Sequence, residues 1–230
     1  MLNFSENYRM ALKDYPQPSV TTDIVIFSII NRDLKVLLVK RDVMPFKGKW
    51  ALPGGFVQMN ESLEEGAMRE LREETGVKNV YLEQLYPFGN PKRDPRGRVI
   101  TIAYFALINS EKIKLKPSTD VSEAKWFSIL KIPCLAFDHK KILDYAIKRL
   151  RWKFEYTPIA FSLLPKKFTM TQLQSLYEIV FKKKFDKRNF RKKILSLNIL
   201  EEEEIKKDVS YRPPKLYSLK SNAPEIIEIL

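Results

Sequence analysis

Two dense apolar runs open the patterned part of the chain. Ile24 to Ile30 and Leu34 to Val39 are rich in β-branched residues, with Asn31-Arg32-Asp33 between them. This pattern predicts two strands joined by a tight turn. WALPGGFV adds extended pieces around a Pro-Gly-Gly turn. Leu63, Ala67 and Leu71 then recur every four residues, as the buried face of a helix does. Ser62 and Glu65 form a capping-box pair at its start, and Gly76 suits the position just past its end. Val80 to Tyr86, Val99 to Ile108 and Ala124 to Phe127 read as strands, the first two separated by the charged loop FGNPKRDPRGR. Asp138 is expected to cap a helix whose apolar stripe is Ile142, Leu143, Ala146 and Leu150. Mixed strands and helices of this kind imply a layered arrangement.

Beyond about Tyr156 the pattern changes. Leu173, Leu176, Tyr177, Val180 and Phe181 follow helical spacing, and Thr169 and Gln172 match a capping box. After a short turn, Asp186 is placed to cap a second helix, in which Phe190, Ile194 and Leu197 share one side. ILEEEEIKK and KLYSLK then read as two strands around SYRPP. Two tightly joined helices followed by a two-stranded ribbon describe a winged helix-turn-helix. The expected division is therefore 1–154 and 155–230.

Charge sharpens this division. The 230 residues carry a formal net charge of +13, with +6 on residues 1–150 and +7 on the shorter remainder. Residues 182–193 hold eight cations and one anion. Such a balance favours phosphate-bearing partners. Arg188, Arg191 and Lys192 lie away from the apolar side of the second helix, with Asn189 at the margin, as in a recognition helix lying in a DNA major groove. Arg212 and Lys215 flank the wing tip. The acidic run Glu201 to Glu204 must then point away from a duplex. A homodimer is expected, because helix-turn-helix proteins commonly meet two-fold sites. No run is apolar and long enough for a membrane span, no signal-peptide pattern opens the chain, and Cys134 is the single cysteine. A cytoplasmic protein is expected.

The candidate chemistry sits on the first helix. Glu70, Glu73 and Glu74 share one face at i, i+3 and i+4. Like charges at that spacing cost roughly 0.2–0.5 kcal/mol per pair, and a divalent cation removes the penalty. Hard oxygen ligands of this kind suit Mg2+ or Mn2+, which bridge substrate phosphates. A solvated acidic face, with Glu65–Arg69 and Arg69–Glu73 as ordinary ion pairs, is the plain alternative. Glu74 could also act as a base toward a metal-bound water.

The full spacing decides between them. Gly55, Glu61 and then Arg69-Glu70-Leu71-Arg72-Glu73-Glu74-Thr75-Gly76-Val77 resemble the complete signature of the Nudix family, with every fixed position filled. The resemblance implies an α/β/α sandwich, hence an α+β chain with a winged helix-turn-helix appended, and hydrolysis of a nucleoside diphosphate linked to another group. It implies metal binding by Glu70, Glu73, Glu74 and the Gly55 carbonyl, and a structural pair in Glu61 and Arg69. Nudix enzymes also use an acid from a later loop, for which Glu123 and Asp120 are the candidates. RDPRGRV before a YFAL strand resembles the ADP-ribose branch of the family, so Arg93, Arg96 and Arg98 are expected to contact ADP-ribose or a related nucleotide sugar, with Arg41 in the same cleft and Trp50 in the core. LAFDHKKIL and the stretch from FSLLPKK onward resemble Nudix-related transcriptional regulators with a C-terminal winged helix, which respond to ADP-ribose or a sugar. His139, in that segment, is read as a helix-start residue. A regulator that keeps Mg2+-dependent hydrolysis is the expectation; a housekeeping hydrolase with an accessory domain and an inactive sensor remain open.

Overall fold

A two-residue turn between apolar strands starts the sheet. In the computed structural model, which describes residues 15–76, 81–108, 121–203 and 214–229, β1 (Ser19–Ile30) runs antiparallel to β2 (Asp33–Arg41). Asn31 and Arg32 turn the chain with φ of 54° and 59°, the positive values that a hairpin turn matched to strand twist requires. β3 (Trp50–Ala51) and β4 (Gly54–Phe56) follow, then α1 (Leu63–Thr75), β5 (Tyr81–Phe88), β6 (Val99–Leu107) and β7 (Val121–Ser128). They form one sheet in the order β3-β2-β1-β6-β5, with β4 also on β1 and β7 also on β2. β1 and β6 are parallel, and the other pairings between these named strands are antiparallel.

Both faces of β1 are covered, which is why its run is apolar without alternation. Ile24 and Ile26 pack with Ala67 and Leu71 of α1. Val25 and Phe27 face the other way, toward Ile142, Leu143 and Ala146 of α2 (His139–Tyr156). The result is the expected α/β/α sandwich.

The second domain continues the same core. A 3-10 turn (Pro158–Leu163) leads to β8 (Phe168–Thr169), α3 (Met170–Phe181), α4 (Lys187–Ser196), β9 (Leu200–Glu203) and β10 (Leu216–Leu219). The ribbon expected from the sequence is three-stranded, in the order β8-β10-β9. Both expected caps form: Thr169 and Gln172 make a reciprocal box, and Asp186 accepts from the Asn189 N–H. Phe154 of α2 is fully buried against Tyr177, whose hydroxyl donates to the Phe154 carbonyl at 3.1 Å. Arg151 Nε donates to the Val180 carbonyl at 3.2 Å. The Ile227 and Ile229 N–H groups donate to the Tyr156 and Glu155 carbonyls. The expected division at 154/155 thus falls inside the last turn of α2, a helix built into both domains.

Asp138 corrects one expectation. It stands at the N-terminus of α2 but makes no side-chain capping bond; its carboxylate accepts from Arg93 instead.

Glu178 staples the turn between α3 and α4. Its carboxylate accepts from Lys184 Nζ at 2.7 Å, from the Phe185 N–H at 3.2 Å and from Gln174 Nε2 at 3.1 Å. These bonds, Lys184 first, hold its pKa down at about 2 against an ordinary 4.5. A depressed carboxylate pKa stabilises the fold fully above the ordinary value, and that stabilisation is lost as pH falls from 4.5 toward 2. Solvent screening limits it to on the order of 1 kcal/mol. Glu178→Gln is expected to lower the melting temperature at pH 7 and to lose most of that difference at pH 2.5, read by circular dichroism at both pH values.

Candidate functional site

The loop between β4 and α1 is built for close approach. Gly54 lies so near β1 that a Cβ there would sit 2.1 Å from the Thr22 carbonyl oxygen, and one at Gly55 would sit 2.2 Å from Glu70 Oε1. Glycine is a steric requirement at Gly54, where the obstacle is backbone; at Gly55 a side chain would instead displace the Glu70 carboxylate. The loop is then tied to the helix. Arg69 donates to both carboxylate oxygens of Glu61, at 2.7 and 2.9 Å, and to the Phe56 carbonyl at 3.1 Å. Glu61 also accepts from the Gln58 N–H. The Arg69 bonds above all hold the Glu61 pKa at about 2. Ser62 and Glu65 form the expected box, and Gly76 ends the helix with φ of 71°.

Against this frame stand the three glutamates, each in a different environment. Glu73 is exposed, 3.4 Å from Arg69. Glu70 is mostly buried and accepts from Arg69 Nη1 at 2.7 Å. Glu74 is buried; the Gly54 N–H donates to it, and its Oε2 has no hydrogen-bond partner among the described residues. Burial pushes the Glu74 pKa well up, and the charges of Glu70 and Asp23 add to that. Burial also raises Glu70, against the pull of Arg69. Among the described residues no three such groups are already gathered into a cation site. Yet a partnerless buried carboxylate oxygen beside a second desolvated carboxylate is a donor set that a divalent cation would satisfy, so these residues fit one.

These side chains line a cavity of about 290 Å³. Its opposite wall is a buried charge cluster. Arg93 Nη2 donates to Asp23 at 3.1 Å and to Asp138 at 2.9 Å, and Arg93 Nε donates to Asp138 at 3.3 Å. His139, the first residue of α2, accepts the Leu52 N–H at Nδ1 over 2.8 Å and holds Nε2 3.6 Å from Asp23. Burial lowers its pKa, and because Nδ1 accepts the Leu52 N–H, the ring's donor position is Nε2, on the side of Asp23.

The expected ligand-contacting arginines separate here. Arg41 and Arg96 line the cavity. Arg96 is gripped by Asp94 through its backbone N–H and its guanidinium, at 2.9, 3.0 and 2.7 Å. Burial opposes ionisation of Asp94, but those bonds hold its pKa below the ordinary range. Arg93 also lines the cavity, but its donors are engaged by Asp23 and Asp138 as wall structure. Arg98 is placed apart from them: its Nη1 donates to the Gly89 carbonyl at 2.7 Å, and it is not among the residues that line the cavity. Glu123 is likewise placed outside, on β7 opposite Lys40 and 4.0 Å from its Nζ. Asp120 lies outside the described residues. Trp50 packs on the core against Phe127. Periodicity alone did not single out Asp23, Asp94 or Phe137, and it marked Asp138 only as a helix cap; the one signal for Asp23 was a charge inside an apolar strand.

The basic helix α4 presents Arg188, Asn189, Arg191 and Lys192 to solvent, while Phe190 and Ile194 are buried. Arg191 is steadied by the Tyr217 hydroxyl of β10 at 2.9 Å. Lys215 pairs with Glu202 at 2.5 Å, and Lys167 with Glu203 at 2.5 Å, so these acids of the wing are neutralised locally. Arg212 and Glu204 lie outside the described residues.

Comparison with known proteins agrees with both halves. Residues 20–149 match the NUDIX domain and residues 160–219 the NrtR DNA-binding winged helix domain. An ADPR responsive transcriptional repressor of Acinetobacter baylyi is 41% identical over 209 residues, 89% of this chain and 83% of the relative. An ADP-ribose pyrophosphatase of Methanocaldococcus jannaschii is 45% identical over 141 residues, 60% of this chain and 77% of its own. The crystal structure of Shewanella oneidensis NrtR complexed with a 27mer DNA superposes with a TM-score of 0.76 at 36% identity, covering 90% of this chain and 97% of that one. Nudix box, sandwich and basic winged helix together place this chain in the NUDIX family, in the branch that carries an NrtR-type DNA-binding winged helix domain.

Proposed function

We propose that the chain is a DNA-binding transcriptional repressor whose Nudix cavity takes ADP-ribose as effector, and that the same cavity hydrolyses the ligand's diphosphate with Mg2+ or Mn2+. One observation carries this reading: the cavity wall is the N-terminal end of α2, and the other end of α2 is built into the winged helix. Asp138 and His139 stand beside the cavity. Phe154, Tyr156 and Glu155, at the far end, hold Tyr177 and the C-terminal Ile227 and Ile229. A ligand that presses on the first turn acts on a rigid rod seated in the DNA-binding domain. Binding as a homodimer to a two-fold operator belongs to the same reading.

For hydrolysis, Glu70, Glu73, Glu74 and the Gly55 carbonyl would hold the divalent cation. The cation supplies charge neutralisation on the diphosphate and lowers the pKa of a bound water. The chain's own part is orientation and proton handling. Arg69 and Glu61 keep the β4 loop on the helix. Arg41 and Arg96 place guanidinium charge on the ligand side. Glu74, buried at the cavity wall with a partnerless Oε2, would be the side chain of the helix placed to take a proton from the attacking water. Glu123 has no comparable position, and Asp120 remains the loop alternative. The relatives that support the two halves of this proposal are the repressor and the pyrophosphatase.

Glu73→Gln should lower hydrolysis of ADP-ribose with Mg2+ by at least about 100-fold, since it removes a cation ligand, while melting temperature and DNA binding stay unchanged. Product analysis by chromatography reads the first and gel shift the last. Intact ADP-ribose after incubation with the wild-type protein would remove the hydrolase half and leave a sensor.

Arg188→Ala and Lys192→Ala should each weaken binding to the chain's own upstream DNA, with the salt slope falling by about one for each phosphate left unneutralised. Fluorescence anisotropy across a salt series measures both. Release of that DNA by ADP-ribose is expected, and persistence of the complex at saturating ADP-ribose would reject it as effector.

A further inference from the structure

The cations on the exposed face of α4 are held in two different ways. Arg188 and Lys192 are exposed and make no side-chain hydrogen bond or ion pair among the described residues. Arg191 is exposed too, but its Nη2 donates to the Tyr217 hydroxyl at 2.9 Å. Tyr217 is a rigid partner. It is 3% exposed and belongs to the main apolar cluster. It stands on β10, the central strand of the wing sheet, opposite Phe168 of β8 and Glu202 of β9. A core side chain of the wing therefore reaches across 26 positions of sequence to fix one cation of the helix.

That difference matters because a helix in a DNA groove has two tasks. Phosphates are met by charge, and a mobile cation serves. A base edge needs donors in a set plane: guanine offers O6 and N7 side by side, and one edge of a guanidinium answers both. A long side chain that is already ordered loses less freedom on forming those bonds. The bond to Tyr217 leaves such a contact open. The two protons on Nη2 belong to different edges of the fork, one shared with Nε and one with Nη1. Whichever of them faces the hydroxyl, one complete edge is left. Among the described residues no carboxylate pairs with Arg191, and Glu202, beside Tyr217 on the wing, is taken by Lys215. Arg191 also lies in the first half of α4, the end that meets base edges in helix-turn-helix proteins.

We propose that Tyr217 is a positioning residue that presents Arg191 to a guanine edge in the major groove, so that Arg191 reads sequence while Arg188 and Lys192 neutralise phosphates. This rests on the reading of the chain as a DNA-binding repressor and divides its basic helix into a specific and a non-specific part. The plain alternative is that Arg191 only satisfies a buried hydroxyl. That role would affect stability, and it would not distinguish one duplex from another.

The test uses the full-length protein and two duplexes of equal length, the chain's own upstream DNA and a scrambled version, titrated by fluorescence anisotropy at one salt concentration. Tyr217→Phe keeps the ring and removes the hydroxyl. It is expected to weaken binding to the upstream DNA by roughly 2- to 12-fold, the ordering cost of one long side chain, and to leave the scrambled duplex unchanged. In the Arg191→Ala background the same substitution has nothing to position and should change neither affinity. Equal weakening of both duplexes, a loss that persists in the Arg191→Ala background, or no loss at all would overturn the proposal. A Phe variant that fails to fold, judged by circular dichroism, passes the decision to Arg191→Lys, which keeps the charge and loses the fork. A scan of single base-pair changes through the upstream DNA should then reveal a G·C pair whose replacement costs the wild type roughly 5- to 150-fold and costs Arg191→Lys nothing; the absence of such a pair overturns the assignment. Equal affinity of the wild-type protein for both duplexes would instead remove the underlying DNA-binding reading, a result visible before any variant is compared.

Discussion

The buried guanidinium of Arg93 organises the centre of this protein. It is almost inaccessible to solvent, and two carboxylates from different elements, Asp23 of β1 and Asp138 at the start of α2, close around it. One cation therefore joins the arginine-rich loop, the central strand and the connecting helix. Removing one partner from such a cluster leaves a buried charge uncompensated, at a cost of about 3–5 kcal/mol. The arrangement also consumes the side chains it uses. Asp138 cannot cap α2, because its oxygens face Arg93, and Arg93 is held as wall while Arg96 stays on the ligand side.

Facing this neutralised wall is one that is not neutralised. Burial disfavours ionisation of Glu74 and Glu70, and the charge of Glu70 adds to the penalty at Glu74. The helix tolerates that because Arg69 offsets part of the charge at Glu70 while its bonds to Glu61 keep the loop on the helix. Under the proposed function, such a cavity would take a ligand that arrives with a cation and carries phosphates. The same logic separates catalytic competence from biological role, since a site able to turn a ligand over is also able to sense it, and a switch responds to occupancy whether or not turnover follows.

Continuity of packing links that site to the winged helix. Val25 and Phe27 of the sheet, Phe154 of α2 and Tyr177 and Phe190 of the winged helix belong to one apolar cluster. A junction of that kind favours transmitted rotation or translation over free hinging, because a close-packed core does not deform continuously. The basic face of α4 is thereby coupled to the cavity through side chains, with the acids of the wing held by Lys167 and Lys215.

Local physics made much of this readable in one dimension. The β-branched apolar runs, the caps at Ser62, Thr169 and Asp186 and the αL glycine at Gly76 all depend on neighbours within a few residues, so spacing alone determined them, while the Glu61–Arg69 pair was legible only through the resemblance of its motif to the Nudix signature. The Nudix box and the basic recognition helix were legible for the same reason. The other half of the cavity was not. Asp23 meets Arg93 across 70 positions, Arg93 meets Asp138 across 45, and Leu52 meets His139 across 87. No local pattern encodes such meetings; they follow from β1 pairing in parallel with β6 and from α2 crossing the opposite face. Composition could announce that arginines were concentrated at residues 93–98, but which of them faces a ligand depends on which carboxylates the tertiary fold has already brought to the others.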